Sequence, residues 1–396
     1  MAIFLHLCYP ATLIFMLLMM LPTSLYIHIP WCIRKCPYCD FNSHKSPDIL
    51  PEERYIQALV DDLQHDLTYL PKREIGSIFI GGGTPSLLSA EAYAKLFEQV
   101  QQLLPFSADI EITLEANPGT VEQQRFHDYR QLGINRLSLG IQSFHAGHLK
   151  QLGRIHDDKQ AHQAIETARL AGFDNINIDI MHSLPEQSVS QGLDDLALAL
   201  SYQPEHLSWY QLTLEPNTVF YKQRPTLPDE DVTEELEETG MDMLGKHGFE
   251  RYEISAFCQP GKHARHNMNY WLFGDYYGIG AGAHGKMTPE PSKICRTRKQ
   301  RQPSDYLNPD KQFLAECETV DTNERAFEFM LNTTRLQQAI PNALFTERTG
   351  LPYEHLEAKL LEAEAKGLIS RQENTWQITD FGRRYTNNLQ ALFLPN

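Results

Sequence analysis

From Leu25 to about Leu214, short apolar runs rich in β-branched residues alternate with stretches whose apolar residues recur at helical spacing. The runs Leu25–Ile29, Ser77–Gly81, Asp109–Glu115, Arg136–Gly140, Asn175–Met181 and Leu207–Leu212 read as strands. Between them Pro51–Leu70, Ser89–Leu103, Val121–Leu132, Asp158–Ala171 and Ser190–Leu200 read as helices. Ser89 caps its helix with Glu91 in the first turn, and Gly172 ends the helix before the fifth strand. Six strands alternating with helices predict an α/β fold, a parallel sheet wound by right-handed crossovers.

The polar residues decide between a doubly wound sheet and a barrel. A cysteine-rich loop follows strand one, Gly81-Gly82-Gly83-Thr84-Pro85 follows strand two, and Glu115-Ala116-Asn117-Pro118 ends strand three. Gln142-Ser143 follows strand four, Asp179 lies in strand five and Gln211 in strand six. Such residues gather at the C-terminal rim of (β/α) barrels, so a TIM-type barrel is expected. After Leu214 the period changes. Asp229–His247 reads as an acidic helix, Glu250–Ile254 as a strand, and His266 to Gly285 as a glycine- and aromatic-rich block. Residues 325–391 read as three helices, a hairpin (Leu368–Ser370 with Thr375–Ile378) and a helix, a winged-helix-like arrangement. Its 321–396 segment carries 8 Lys+Arg against 10 Asp+Glu, so it lacks a phosphate-binding footprint.

Charge and composition narrow the function classes. The formal net charge of −16 argues against nucleic acid as a partner. Seven unevenly spaced cysteines do not make a disulfide framework and suit a reducing cytoplasm. Residues 1–22 stand apart, with no charged side chain before Arg34 and an apolar run from Ala11 to Leu21 between Pro10 and Pro22. That run is too short to span a bilayer and lacks a basic leader. It reads as a non-native or disordered extension ahead of a true start at Met16, Met19 or Met20.

The candidate chemistry centres on Cys32, Cys36 and Cys39, spaced C-x3-C-x2-C directly after strand one. Three close thiolates suit soft metal, and iron–sulfur clusters are held by such ligands. Zinc remains open, with His28 or His44 as a fourth ligand. Glycines at Gly82 and Gly83 let backbone approach a ligand closely. Glu115 and Asp179 offer carboxylates to hydroxyls or a cation, and Arg154 offers a fork for a carboxylate. His266 suits iron as a neutral imidazole, and Tyr270 and Trp271 offer flat apolar surface. His-Asn after Pro260-Gly261 equally suits a loop cap.

The segment Tyr26-x-His28-Ile29-Pro30-Trp31-Cys32-x3-Cys36-Pro37-Tyr38-Cys39-Asp40-Phe41-Asn42-Ser43-His44 resembles the radical S-adenosylmethionine superfamily, in its oxygen-independent coproporphyrinogen III oxidase-like group. His266-Asn267-Met268-Asn269-Tyr270-Trp271 is similar to the HNxxYW motif of that group's heme chaperones. The resemblance implies a six-unit partial barrel over residues 23–260 and a C-terminal α+β, winged-helix-like domain over 261–396 that bears the heme segment 266–271. It further implies a 4Fe-4S cluster on the three cysteines, with one iron open to S-adenosylmethionine. Tyr38 would lie over the adenine, and Gly82, Gly83 and Thr84 would receive the methionine amine. Tyr26, Glu115, Gln142, Arg154 and Asp179 would complete that site, and His266, Tyr270 and Trp271 would hold heme, with Cys258 and Cys295 as alternative heme partners. Implied partners are heme, a heme-acceptor protein (a respiratory, membrane-associated one among the candidates) and a flavodoxin- or ferredoxin-type electron donor, with a homodimer left open. Two rivals share the frame, a coproporphyrinogen III decarboxylase and a radical heme-degrading enzyme. The decarboxylase has a further cysteine two positions after the last ligand, where this chain has Phe41.

Overall fold

Strand β1 (Thr23–Ile29) runs through the middle of a sheet that has twelve strands among the described residues. Leu25, Ile27 and Ile29 on it are fully buried, as strands covered on both faces require. Each such side chain contributes about 1.5–3 kcal/mol of burial. The computed structural model describes residues 23–291 and 293–395, so the stretch 1–22 and its expected initiators lie outside the described residues.

Five strands follow in sequence order, each parallel to the one before: β2 (Ile75–Gly82), β3 (Phe106–Ala116), β4 (Arg136–Gln142), β5 (Ile176–His182) and β6 (His206–Gln211). Helices α1 (Glu52–Asp66), α2 (Ala90–Leu103), α3 (Thr120–Gln131), α4 (Asp158–Leu170) and α5 (Val189–Ser201) make the crossovers. The Ser89 hydroxyl accepts the Ala92 N–H at 3.2 Å, and Gly172 takes φ 87° behind α4. The strand order is linear and, among the described residues, its ends do not pair, so the sheet is the expected partial barrel, open on one side.

Past β6 the chain differs from expectation. Helix α6 (Glu230–Lys246) leads to Glu250–Arg251 and then β7 (Ala256–Cys258), antiparallel to β6. The strand expected to reach Ile254 stops early because the Glu253 carboxylate turns back to accept the Ser255 N–H at 2.9 Å. The aromatic block resolves into helix α7 (Arg265–Trp271) and strand β8 (Asp275–Ile279). β8 pairs parallel with β1 on the edge away from β2, and β9 (His284–Glu290), β10 (Lys293–Lys299) and β11 (Leu314–Thr319) extend the sheet antiparallel. The boundary expected at 260/261 falls between strands of this one sheet. Without β8, the edge of β1 would leave a row of backbone donors and acceptors unpaired.

The smaller unit begins near Val320. Helices Arg325–Thr333, Asn342–Thr349 and Glu354–Ala365 pack with a three-stranded sheet, Ile340–Pro341, Thr375–Ile378 and Ile369–Arg371. Its core includes Phe329, Phe345, Leu356 and Trp376. This is the winged-helix-like arrangement, its hairpin within a residue of the expected one. Among the described residues no helix is long and apolar enough to cross a membrane.

Candidate functional site

The cysteine loop leaves β1 at Pro30 and is closed by its own backbone. Trp31–Cys32 pairs with His44–Lys45, the Ser46 N–H bonds the Cys32 carbonyl at 2.8 Å, and Lys35 Nζ donates to the Phe41 carbonyl at 2.9 Å. The loop is docked on the glycine turn after β2. There the Gly83 and Thr84 N–H groups donate to the Ile29 and Trp31 carbonyls, each at 2.7 Å. A Cβ on Gly83 would stand 2.5 Å from the Trp31 carbonyl oxygen. Gly82, at φ 111°, faces the His28 ring, which a Cβ would meet at 2.5 Å. Both glycines are thus required by the loop's own packing, whatever binds above it.

Cys32, Cys36 and Cys39 line one cavity of about 310 Å³, together with Tyr38, Gly82, Gly83, Thr84, Glu115, Gln142, Arg154 and Asp179. Residues scattered over more than 140 positions of sequence meet there because strands β1 to β5 end on the same rim. Arg154 Nη2 donates to Asn117 Oδ1 at 2.5 Å, Asn117 Nδ2 donates to Thr84 Oγ1 at 3.0 Å, and Thr84 Oγ1 faces Cys32 Sγ at 3.5 Å. The other guanidinium nitrogen, Nη1, faces Cys36 Sγ at 3.7 Å. Burial pushes the Cys32 and Cys39 thiols above their ordinary range. Burial, and then the neighbouring Asp179 carboxylate, push Glu115 up to about 8, while the Gly82 N–H on Glu115 Oε2 at 3.1 Å pulls the other way. Asp179 is likewise raised by burial, against hydrogen bonds from Ser138 Oγ at 3.1 Å and Asn177 Nδ2 at 2.7 Å.

Sequence patterning missed part of this wall. Ser208 and Tyr210 of β6 reach the cavity, whereas the expected Gln211 is exposed on the other side. The period of two along a strand is the signal that separates them. Tyr210 Oη donates to Gln142 Oε1 at 2.7 Å, which holds a residue that itself sits at φ 69°. Ser143 points away and donates to Asp195 Oδ2 at 2.7 Å. Asn117 and Ser138 were also unassigned, since nothing in a lone Asn or Ser distinguishes it before the strands are aligned.

A second cavity of about 730 Å³ adjoins the first, and the two share Phe41, Gly82 and Glu115. Tyr26 lines this one, its hydroxyl 2.9 Å from His28 Nδ1. His28 Nε2 donates to the Asn42 carbonyl at 2.9 Å, so His28 is a satisfied core histidine and burial lowers it to about 4. Of the three residues expected around heme, only Tyr270 reaches a cavity wall. His266 is 1% exposed. Helix α7 turns it inward onto the sheet, against Phe79 at 5.2 Å and Tyr270 at 4.6 Å between ring centroids, with Nδ1 3.3 Å from Ser77 Oγ. Trp271 instead packs toward the small unit beneath the Arg335 guanidinium, 4.2 Å away. Cys258 and Cys295 are buried and line neither cavity.

Three thiols on one loop suit the thiolate set of an iron–sulfur cluster. Among the described residues no three His, Cys, Asp or Glu side chains converge closely enough for one metal. A 4Fe-4S cluster held by three thiolates leaves one iron open, and three thiols on one loop lining one cavity suit that arrangement. An open parallel barrel with a three-cysteine loop after its first strand and a glycine turn after its second defines a radical S-adenosylmethionine protein. Sequence comparison agrees: the Radical SAM superfamily matches residues 26–199, and the HemN C-terminal domain matches residues 320–385. The heme chaperone HemW of Escherichia coli (strain K12) is 48% identical over 94% of this chain and 98% of its own length. The heme chaperone HemW of Bacillus subtilis (strain 168) is 34% identical over 94% of this chain and 99% of its own. The chain belongs to the HemW family. In fold it is similar to the E. coli coproporphyrinogen III oxidase HemN, a radical SAM enzyme, with a TM-score of 0.78 at 23% identity over 94% of this chain and 90% of that one.

Proposed function

We propose that this chain is a cytoplasmic heme chaperone. In this reading it holds a 4Fe-4S cluster on Cys32, Cys36 and Cys39, binds S-adenosylmethionine in the first cavity, and passes heme to an acceptor protein. The observation that carries the reading is the pair of adjoining cavities on one rim, which gives cofactor and cargo separate places.

Each residue has a task its contacts support. Arg154, anchored to Asn117 and the Gly140 carbonyl at 2.7 Å, keeps a positive edge toward Cys36 for a carboxylate. Tyr38, packed against Phe220 at 6.3 Å between ring centroids, offers a flat face for adenine and covers the loop from water. Carbonyls of the Gly82–Thr84 turn accept an ammonium, and Glu115 and Asp179 accept ribose hydroxyls or stand beside a sulfonium. Gln142, fixed by Tyr210, closes the wall. Bound there, the cluster and its ligand supply one-electron chemistry, for which a flavodoxin- or ferredoxin-type protein is the donor. Anaerobic reconstitution followed by two assays tests the reading. Heme should move from the loaded protein to an apo-acceptor, and coproporphyrinogen should not be decarboxylated. Decarboxylation without heme transfer would assign the chain to the rival enzyme.

A further inference from the structure

A third cavity, of about 260 Å³, shares no residue with the two on the rim. It opens where the turn between Glu250–Arg251 and β7 meets the small unit. Arg251 comes from that turn, Thr334 from just past helix Arg325–Thr333, and Arg383 and Arg384 from the end of helix Asp380–Arg384. Three guanidinium groups thus share one small space in a chain of net charge −16. Among the described residues no Asp or Glu lines it.

The charges there are fixed and poorly offset. Arg251 Nε donates to the Ile254 carbonyl at 3.0 Å and the Glu253 carbonyl at 3.2 Å, and Nη2 also donates to Ile254. Its Nη1 has no partner among the described residues. Burial, and then the neighbouring Arg383 guanidinium, act against the charge on Arg251, while Glu237 and Glu253 favour it. A guanidinium stays protonated regardless, so the two like charges remain side by side. The acids at the edge offset little. Asp380, 2.8 Å from Arg383, is 95% exposed, and Glu238 stands 3.9 Å from Arg384 with both side chains mostly in water, where such pairs are weak. Glu253 is committed elsewhere, to Arg335 at 3.0 Å and to the Ser255 N–H. Asn387 and Asn388 add exposed amides to the same wall.

A phosphate group matches this set of donors. It carries close to two negative charges and three acceptor oxygens, so it can meet cations from several directions. A carboxylate presents one plane to one fork. The volume lies just below the roughly 300–1,000 Å³ of drug-sized sites, which leaves room for a small organic tail. Tyr385 lines the cavity with Phe381 beside it, 4.8 Å between ring centroids, both exposed.

We propose that this cavity binds a phosphate group, free or as a small phosphomonoester, on Arg251, Arg383 and Arg384, and that the bound anion ties the main sheet to the small unit. The site is independent of the cluster and of heme. The test is calorimetric titration of the full, cluster-bearing chain with inorganic phosphate and with glycerol 3-phosphate at fixed ionic strength. At least one should saturate with a dissociation constant of about 1 mM or tighter. That ligand should also raise the thermal midpoint where chloride at equal ionic strength does not. Arg384→Glu, at an exposed side chain, should weaken binding by roughly tenfold and leave iron content unchanged. Arg251→Gln combined with Arg383→Gln should weaken it by more than about tenfold, as loss of charge-assisted hydrogen bonds requires. If that pair also lowers iron content, Arg384→Glu alone decides. No saturation by either ligand up to about 10 mM overturns the proposal, as does wild-type affinity in Arg384→Glu. Binding to phosphatidylglycerol vesicles with neither soluble phosphate bound would overturn it too, and make the arginines a membrane-facing patch.

Discussion

At the scale of single residues, Glu115 carries the clearest consequence. Its side chain closes the wall between the two cavities, and burial beside Asp179 raises its carboxyl to about 8. A carboxyl raised on folding adds stability that is fully present below its unfolded value and is lost as pH rises through the folded one. The ligand-free protein is therefore expected to lose thermal stability between about pH 5 and 8, and Glu115→Gln should flatten that slope. A cation bound beside Glu115 favours the ionised form, so binding releases a proton. Affinity for S-adenosylmethionine should rise with pH up to about 8, by at most roughly tenfold per pH unit. Calorimetric titration of the reconstituted protein at several pH values reads the slope directly, and a pH-independent affinity would remove Glu115 from the site.

At the scale of elements, the glycine turn after β2 acts as a mount for the cysteine loop. Gly83 has no room for a side chain because the Trp31 backbone occupies the space, with its nitrogen 2.8 Å and its oxygen 2.5 Å from the position of a Cβ. Neither backbone atom can swing aside as a flexible side chain would. Gly83→Ala should cost about 1–3 kcal/mol of stability, the usual range for overpacking. It should also lower iron incorporation, because Cys32 directly follows the displaced residue. Urea unfolding together with iron analysis separates the two effects. A variant with wild-type iron content would mean that the loop adapts independently of its mount.

At the scale of the whole molecule, buried ion pairs tie the sheet across the expected domain boundary, Lys299 to Asp62 and Asp66 and Asp275 to Arg73. Asp275 of β8 meets Arg73 at 2.5 Å and Lys286 of β9 at 2.9 Å, all three nearly inaccessible to solvent, and also accepts the Thr288 N–H at 2.8 Å. Burial acts to raise its carboxyl, but the two cations outweigh burial and lower it. Asp275→Asn leaves two buried cations short of their counter-charge, at an expected cost of about 3–5 kcal/mol. A chain ended at residue 260 should fare worse, because β1 then loses its β8 partner altogether. Equilibrium unfolding of the first and soluble yield of the second check this. A stable, monomeric 23–260 fragment would place a domain boundary at 260.

Much of the barrel was legible because its signals are local. The six consecutive strands β1 to β6 were found, though not the parallel strand β8, since apolar runs of strand length recur between helical periods, and Ser89 and Gly172 marked helix ends by their own chemistry. The rim was legible too, because one rule about strand ends gathers Cys32, Glu115, Gln142 and Asp179 without any contact being known. Facing direction was harder: Gln211 and Tyr210 are neighbours, and only pairing with β5 decides which enters the cavity. The HNMNYW segment shows the limit most plainly. Its residues suit heme by type, but a helix laid against β1 and β2 buries His266, and which face of a short helix meets a sheet depends on partners far away in sequence. His284, Arg298 and Arg301, which line the second cavity, carry no motif. They came together only when β9 and β10 paired beside an edge that β8 had extended, so that cavity is a product of long-range strand pairing, whereas the cysteine triad is a product of adjacency in the chain.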